Sequence, residues 1–309
     1  MAINWYYMKQ TTIKNEISFC GIGLHSGVNT NITIKPAGAN AGIVFRRVDI
    51  KDRKNEIKAT YDNVINTNLG TTIGLSNSFQ KFLSKNLLKI GILKEFGVVV
   101  RTIEHFMASL WACNIDNAII EIDNKEIPIL DGSSDLFIKE IQKAGIEELN
   151  EERKYLIVKK EVEIETNFSS RKLIPYDGFK IDINIDFNYG GIGSQTYYFD
   201  GKQETFLNEI SQARTFCNYK DVEFMQKHGL ALGGSLKNAM VFNDVELLNT
   251  EGYRLENEPV RHKLLDCIGD MFISGYFMKC HIITNRGGHT LNNRILKELF
   301  KNKENFEIK

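Results

Sequence analysis

Polar and apolar residues alternate early in the chain. "NTNITIKPA" (29–37) sets Asn or Thr against Ile at a period of two, which predicts a half-buried strand. Just before it, "GIGLHSG" (21–27) is a turn punctuated by glycine. The period changes at Thr102, whose hydroxyl is expected to cap a helix over "IEHFMASLWA". "NAIIEIDNKEIPILDGSS" (117–134) predicts strand, turn, strand, and "DLFIKEIQKAG" (135–145) an amphipathic helix closed by Gly145. Near residue 150 the pattern restarts. "KYLIVKKEVEIET" (154–166) and "FKIDINIDF" (179–187) alternate strongly. A helix is expected around 203–213, a mixed stretch to about 250, a helix from about 258 to 277, a short strand at 280–285 and a last helix over 290–302. Strands followed by helices, twice over, predict an α+β chain of two similar domains, 1–150 and 151–309, each a sheet layered with helices. The stretch 76–97 fits this scheme poorly and is expected to be an inserted amphipathic helix.

Composition narrows the function classes. The 309 residues carry 39 basic and 39 acidic side chains, so net charge gives no case for nucleic acid. Apolar runs such as "FGVVV" fall short of the roughly 20 residues of a membrane span. "MAINWYYMKQTTIKNE" lacks the apolar core of a signal peptide. The five cysteines are scattered without a CxxC, against a disulfide framework or a thiolate zinc site and in favour of a reducing, cytoplasmic setting.

"RHKLLDCIGD" (261–270) carries the most informative polar residues. His262 and Asp266 lie four apart on one helical face, with Asp270 a turn further. Imidazole and carboxylate at that spacing suit a metal ion, although such pairs taken alone are usually plain hydrogen bonds along the helix. "TIEHF" adds adjacent Glu104 and His105 near a helix start, a third ligand and a neighbouring base if both helices line one cleft. "NRGGHTLNN" sets His289 after two glycines, where backbone can approach a ligand closely. His228 reads as an exposed loop residue and His281 as structural, with no polar company. His25 is ambiguous.

Taken in order, "GIGLHSG", "TIEHFMASLWACNIDNAIIEID", "EIPILDGSS" (126–134), "QARTF" (212–216), "LALGGSLKNAMV" (230–241), "EPVRHKLLDCIGD" (258–270) and "GGHTLNN" (287–293) resemble the UDP-3-O-acyl-N-acetylglucosamine deacetylases, zinc amidases of lipid A biosynthesis. The resemblance spans nearly the whole chain. It implies two α+β domains with the active site between them, and one zinc ion on His105, His262 and Asp266. It also implies Glu104 as general base, His289 as general acid or charge stabiliser, Asp270 as the group orienting His289, and Thr215 and Lys263 at the oxyanion and substrate polar groups. The substrate would be a UDP-linked acylated amino sugar. Phe187 would stack its base and Lys263 meet its phosphate, while Phe216, Leu230 and Gly234 would be further contacts and 218–242 the slot for the acyl chain. Arg286 stands before the "GGH" where the family usually has Lys. The region 76–97 looks longer than the family's connection, "NYGGIG" (188–193) lacks a proline often found there, and "MAINWYY" has no assigned role.

Two rival readings are weighed against this one: a nucleotide-sugar-binding module without catalysis, and a scaffold whose polar residues are structural. The first would break the metal set, which is complete here. The second leaves four polar or ionisable groups on a buried helix in need of partners. Oligomeric state and acyl-chain length stay open, and a monomer is compatible with the sequence.

Overall fold

The architecture comes from a computed structural model in which residues 8–75 and 97–309 are described. The N-terminal "MAINWYY" and all but the last residue of the expected 76–97 helix lie outside them. The chain is α+β. Its first large sheet runs Ile17–Ile22, Asn29–Pro36, Ala118–Ile122, Ile43–Arg47, Glu56–Lys58, antiparallel except where 43–47 joins 118–122. The alternation read at 29–37 is the reason for its inner face: Ile32, Ile34, Ile120 and Ile122 are all completely buried.

The second large sheet has seven strands centred on Phe277–Asn285, which pairs with Tyr155–Val158, Ser170–Ile174 and Phe179–Phe187. In "FKIDINIDF" the odd positions Phe179, Ile181, Ile183 and Ile185 face the core, as their period of two requires. Strand Ile146–Glu152 instead pairs with Lys9–Ile13 in a two-stranded ribbon.

Six helices follow in chain order among the described residues: α1 (Glu104–Ala112), α2 (Asp135–Ala144), α3 (Gln203–Glu209), α4 (Tyr219–Lys227), α5 (Glu258–Phe272) and α6 (His289–Lys301). Every residue of α1 is buried, because it has neighbours on all sides. Its Phe106 meets Phe45 of the first sheet, with ring centroids 6.1 Å apart, and its Trp111 meets Phe179 and Phe199 of the second at 5.7 and 6.0 Å. On another side it crosses α5 at Gly269, where a Cβ would stand 2.0 Å from the Glu104 carbonyl oxygen. Only glycine lets the two backbones approach so closely.

Several boundaries differ from the sequence reading. Thr102 does not cap α1: its φ is +56°, its hydroxyl donates to Glu126 Oε1 at 3.2 Å, and the helix starts from Ile103 without a side-chain cap. The second strand expected within 117–134 is reduced to isolated bridges at Glu126 and Pro128, since proline has no N–H to donate to a ladder. α5 stops at Phe272 rather than 277, followed by Gly275 at φ +86°. The expected 203–213 helix ends at Glu209, and the expected 154–166 strand is split at 159–161. Many elements were not expected, among them the strands Ile17–Ile22, Ile43–Arg47, Ser170–Ile174 and Gly193–Phe199, α4 within the mixed stretch, and the C-terminal strand Phe306–Ile308.

Candidate active site

α1 and α5 meet at their polar turns. His105 Nε2 and His262 Nε2 each lie 3.3 Å from Asp266 Oδ1, and the two rings stand edge to face with centroids 4.8 Å apart. All three residues are buried. The Nδ1–H of His262 donates to the Ala213 carbonyl at 3.0 Å, which leaves Nε2 as the lone-pair atom facing the cluster. Burial pushes the His262 imidazolium down to about 3, so the ring is neutral. Burial works against ionised Asp266, but its positively charged surroundings, with the Lys263 ammonium in contact, hold the carboxyl well below its usual range. Lys263 occupies Oδ2 of Asp266 at 2.5 Å, whereas the buried Oδ1 has no hydrogen-bond partner among the described residues.

The Nε2 atoms of His105 and His262 thus converge on Asp266 Oδ1 in a buried site, an arrangement of acceptor atoms that a cation would stabilise. The spacing suits one. Ligand atoms in tetrahedral array about 2.0–2.1 Å from a shared zinc are about 3.3–3.4 Å apart, matching the two 3.3 Å separations. His, His and Asp, all within 4.8 Å of one another, also form the donor set of a catalytic zinc site with a position left for water or substrate.

Next to this cluster, Glu104 Oε1 lies 4.0 Å from His289 Nε2. Burial raises the Glu104 carboxyl above its usual value, and the neighbouring His289 and His105 pull it back. His289 is the reverse of His262. Its burial disfavours charge, yet Asp270 and Glu104 raise it to about 9. The His289 Nδ1–H donates to Asp270 Oδ2 at 2.8 Å, and the same oxygen accepts from Asn292 Nδ2 at 2.6 Å.

Residues 10–301 match the model of the LpxC family, UDP-3-O-acyl N-acetylglycosamine deacetylase. The chain belongs to that family. It is 40% identical over 303 residues to the UDP-3-O-acyl-N-acetylglucosamine deacetylase of Idiomarina loihiensis, covering 97% of this chain and 92% of that protein. The protein of the same name from Geobacter sp. (strain M21) is 40% identical over 94% of this chain and 89% of its own length. That of Pasteurella multocida is 39% identical over 97% and 93%.

For a member of this deacetylase family, the surroundings of the cluster matter as much as the cluster. Glu104, His105, Thr215, Phe216, Gly234, His262, Lys263, Asp266 and His289 all line one cavity of about 440 Å³, and its far walls are apolar, with Val222 and Met225 of α4 and Leu236, Val241 and Leu248 beyond it. Asp270 stands behind His289. The cavity does not collect every residue named from the sequence. Phe187 packs on Phe216 and Tyr189 with centroids 5.2 and 5.6 Å away, and it lies outside the lining, as does Leu230. Arg286, at φ +51°, is ion-paired with Asp186 and is also outside.

Among the other histidines, His228 is exposed at the end of α4, as expected. His281 has polar company after all: its Nε2 is 2.9 Å from Asp182 Oδ2, on the neighbouring strand. Linear reading cannot see a partner about a hundred residues away. His25 lines the cavity with Nε2 on the Leu69 carbonyl at 3.1 Å, and its own turn is held by Glu126, which accepts the N–H of both His25 and Ser26 at 2.8 Å. Sequence reasoning missed Thr71, Asn292 and Glu126. Asn292 and Glu126 sit within the blocks "GGHTLNN" and "EIPILDGSS", but Thr71 in "LGTTIGL" carried no signal of period or spacing.

Proposed function

We propose that the chain hydrolyses the N-acetyl amide of UDP-3-O-(hydroxyacyl)-N-acetylglucosamine, releasing acetate and a free amine, an early committed step of lipid A (lipopolysaccharide) biosynthesis. One observation carries this reading. Two buried imidazoles and a carboxylate oxygen without a hydrogen bond converge beside a carboxyl of raised pKa and a charged imidazole, at the polar end of a mostly apolar cavity. His105, His262 and Asp266 would hold one zinc ion per chain. When bound, zinc supplies Lewis-acid polarisation of the acetyl carbonyl and acidifies water.

The other groups follow from their contacts. Glu104 takes a proton from the attacking water, a task that its raised pKa suits. The water oxygen bonds to the acetyl carbon, the C–N bond breaks, and the departing nitrogen needs a proton. His289 supplies it from Nε2, because its Nδ1–H is committed to Asp270. Thr215 and Lys263, on the cavity wall, would stabilise the oxyanion; Lys263 is already fixed by Asp266. The apolar walls within 218–242 would take the acyl chain, with Gly234 and Phe216 beside it. Phe187, Leu230 and Arg286 would meet the rest of the substrate outside the cavity, Arg286 exchanging Asp186 for a phosphate.

In this reading residues 1–150 and 151–309 act as two domains, the first bringing Glu104 and His105 and the second the remaining groups. Five unpaired thiols support a cytoplasmic location. Among the described residues no helix is long and apolar enough to cross a membrane. The test is elemental analysis after exhaustive dialysis, with acetate release measured on the same sample. Near-stoichiometric zinc and turnover support the amidase. Binding of the UDP-sugar without metal or turnover would establish the non-catalytic module instead.

A further inference from the structure

Thr71, just ahead of strand Thr72–Gly74, touches both groups assigned to move protons. Its N–H donates to Glu104 Oε2 at 2.9 Å. Its hydroxyl donates to Asp270 Oδ1 at 2.6 Å and lies 3.5 Å from His289 Nδ1. The side chain is 1% exposed. Its backbone is held in turn, because the Thr71 carbonyl accepts the N–H of Ile103 at 3.3 Å and the following strand pairs with Val64–Asn66 and Val99–Val100. Gly70 completes the arrangement. At φ +145° it adopts a backbone that L side chains rarely reach, and a Cβ there would stand 2.9 Å from Glu104 Oε1.

We propose that Thr71 is a positioning residue that sets Glu104 and the Asp270–His289 pair in one fixed relation. The inference rests on the roles assigned to Glu104 and His289 under Proposed function. Its physical content is specific. A carboxylate held at one oxygen by His289 and Asn292 can still swing about its Cβ–Cγ bond, and the hydroxyl on Oδ1 stops that rotation. The same residue's amide holds the Glu104 carboxylate. A β-branched side chain suits this task because its χ1 has few choices. The spacing between base and acid is therefore set by one residue that touches neither substrate nor metal donors.

Thr71→Val keeps the shape and the backbone N–H and removes only the hydroxyl. It is expected to lower kcat about 10–100-fold, the usual effect of losing one hydrogen bond to a charged group. KM should stay within about threefold, and zinc content and circular dichroism should not change. Thr71→Ser should restore kcat to within about threefold of wild type. In an Asp270→Asn background the same Thr71→Val change should cost less than about threefold, since the carboxylate through which it acts on His289 is gone. Unchanged kcat in Thr71→Val overturns the inference. So does a serine variant as slow as the valine one, full additivity with Asp270→Asn, or a loss that follows zinc content. If Thr71→Val does not fold, Thr71→Ala against Thr71→Ser makes the same comparison. Glu104→Gln and His289→Ala, run alongside, separate the two levels. If they keep wild-type turnover, the roles assigned to them fall and this inference with them; if they lose it while Thr71→Val does not, only the inference about Thr71 falls.

Discussion

Two histidine–aspartate pairs lie one helical turn apart at α5, and they are driven to opposite protonation states. His262 is held neutral, at about 3, and His289 is held charged, at about 9. Both are largely shielded from water and both have a carboxylate neighbour, so proximity to Asp is not what separates them. The difference lies in the groups around each ring: burial, His105 and the Lys263 ammonium oppose a charge on His262, whereas Asp270, Glu104 and Asp266 together outweigh burial at His289. His262 gives its Nδ1–H to a neutral carbonyl, Ala213 O, and turns a lone pair towards Asp266, whose other oxygen is already taken by Lys263. His289 gives its Nδ1–H directly to Asp270, with Glu104 on the far side of the ring. In the proposed function the same two residue types would therefore make a metal donor in one case and a proton donor in the other.

The largest effect should come from removing the neutral member. His262→Ala takes away one donor and should strip zinc and abolish turnover while the fold persists, as read by metal content and circular dichroism. A folded variant that retains full zinc would break the comparison. Glu104→Gln, beside the donors but not one of them, should keep zinc and lose roughly 10²–10⁴ in kcat. A variant within threefold of wild type would mean that another group takes the proton.

The charged member makes a pH prediction. Its pKa is raised, so the acid form persists until pH rises through about 9, and the alkaline limb of kcat/KM belongs near that value. In Asp270→Asn the limb should fall towards the ordinary value of about 6.5, which lowers activity at pH 8 by about 10–30-fold without loss of zinc. An unmoved limb would dissociate Asp270 from His289. The smallest change lies on the cavity wall, away from both pairs. Ala239→Leu, at a buried lining residue, should shift the long-to-short acyl preference in kcat/KM by about fourfold for each methylene displaced. It should leave zinc and the pH limbs untouched. If the ratio stays constant in a folded variant, the acyl chain binds elsewhere.

The sequence made one half of this arrangement readable and hid the other. His262, Asp266 and Asp270 share a helix, where a regular spacing turns position into geometry, and the family blocks supplied their partners. The alternating strands at 29–36 and 179–187 were legible for the same reason. What stayed hidden depends on contacts between distant segments. Thr102 looked like a cap, but Glu126 draws its hydroxyl away and the backbone takes a left-handed turn. Thr71 has no pattern around it, and only the folded chain brings it to Glu104 and Asp270. α4 was obscured because its cavity-facing Val222 and Met225 lie between charged neighbours and an exposed Phe224, which blurs the helical stripe.

The crossing at Gly269 also bears on how the protein is made. About half the chain separates Glu104 from Gly269, so their contact closes a very long loop and belongs among the late events of folding. While the ribosome is still delivering the second half, α1 has no α5 to cover it, and Trp111 lacks the rings of Phe179, Phe199 and Phe277 that surround it in the finished fold. A nascent chain in that state is exposed to aggregation until residue 269 has emerged and docked. The place of Gly269 in the chain therefore also sets how late in synthesis α1 can be covered on that side.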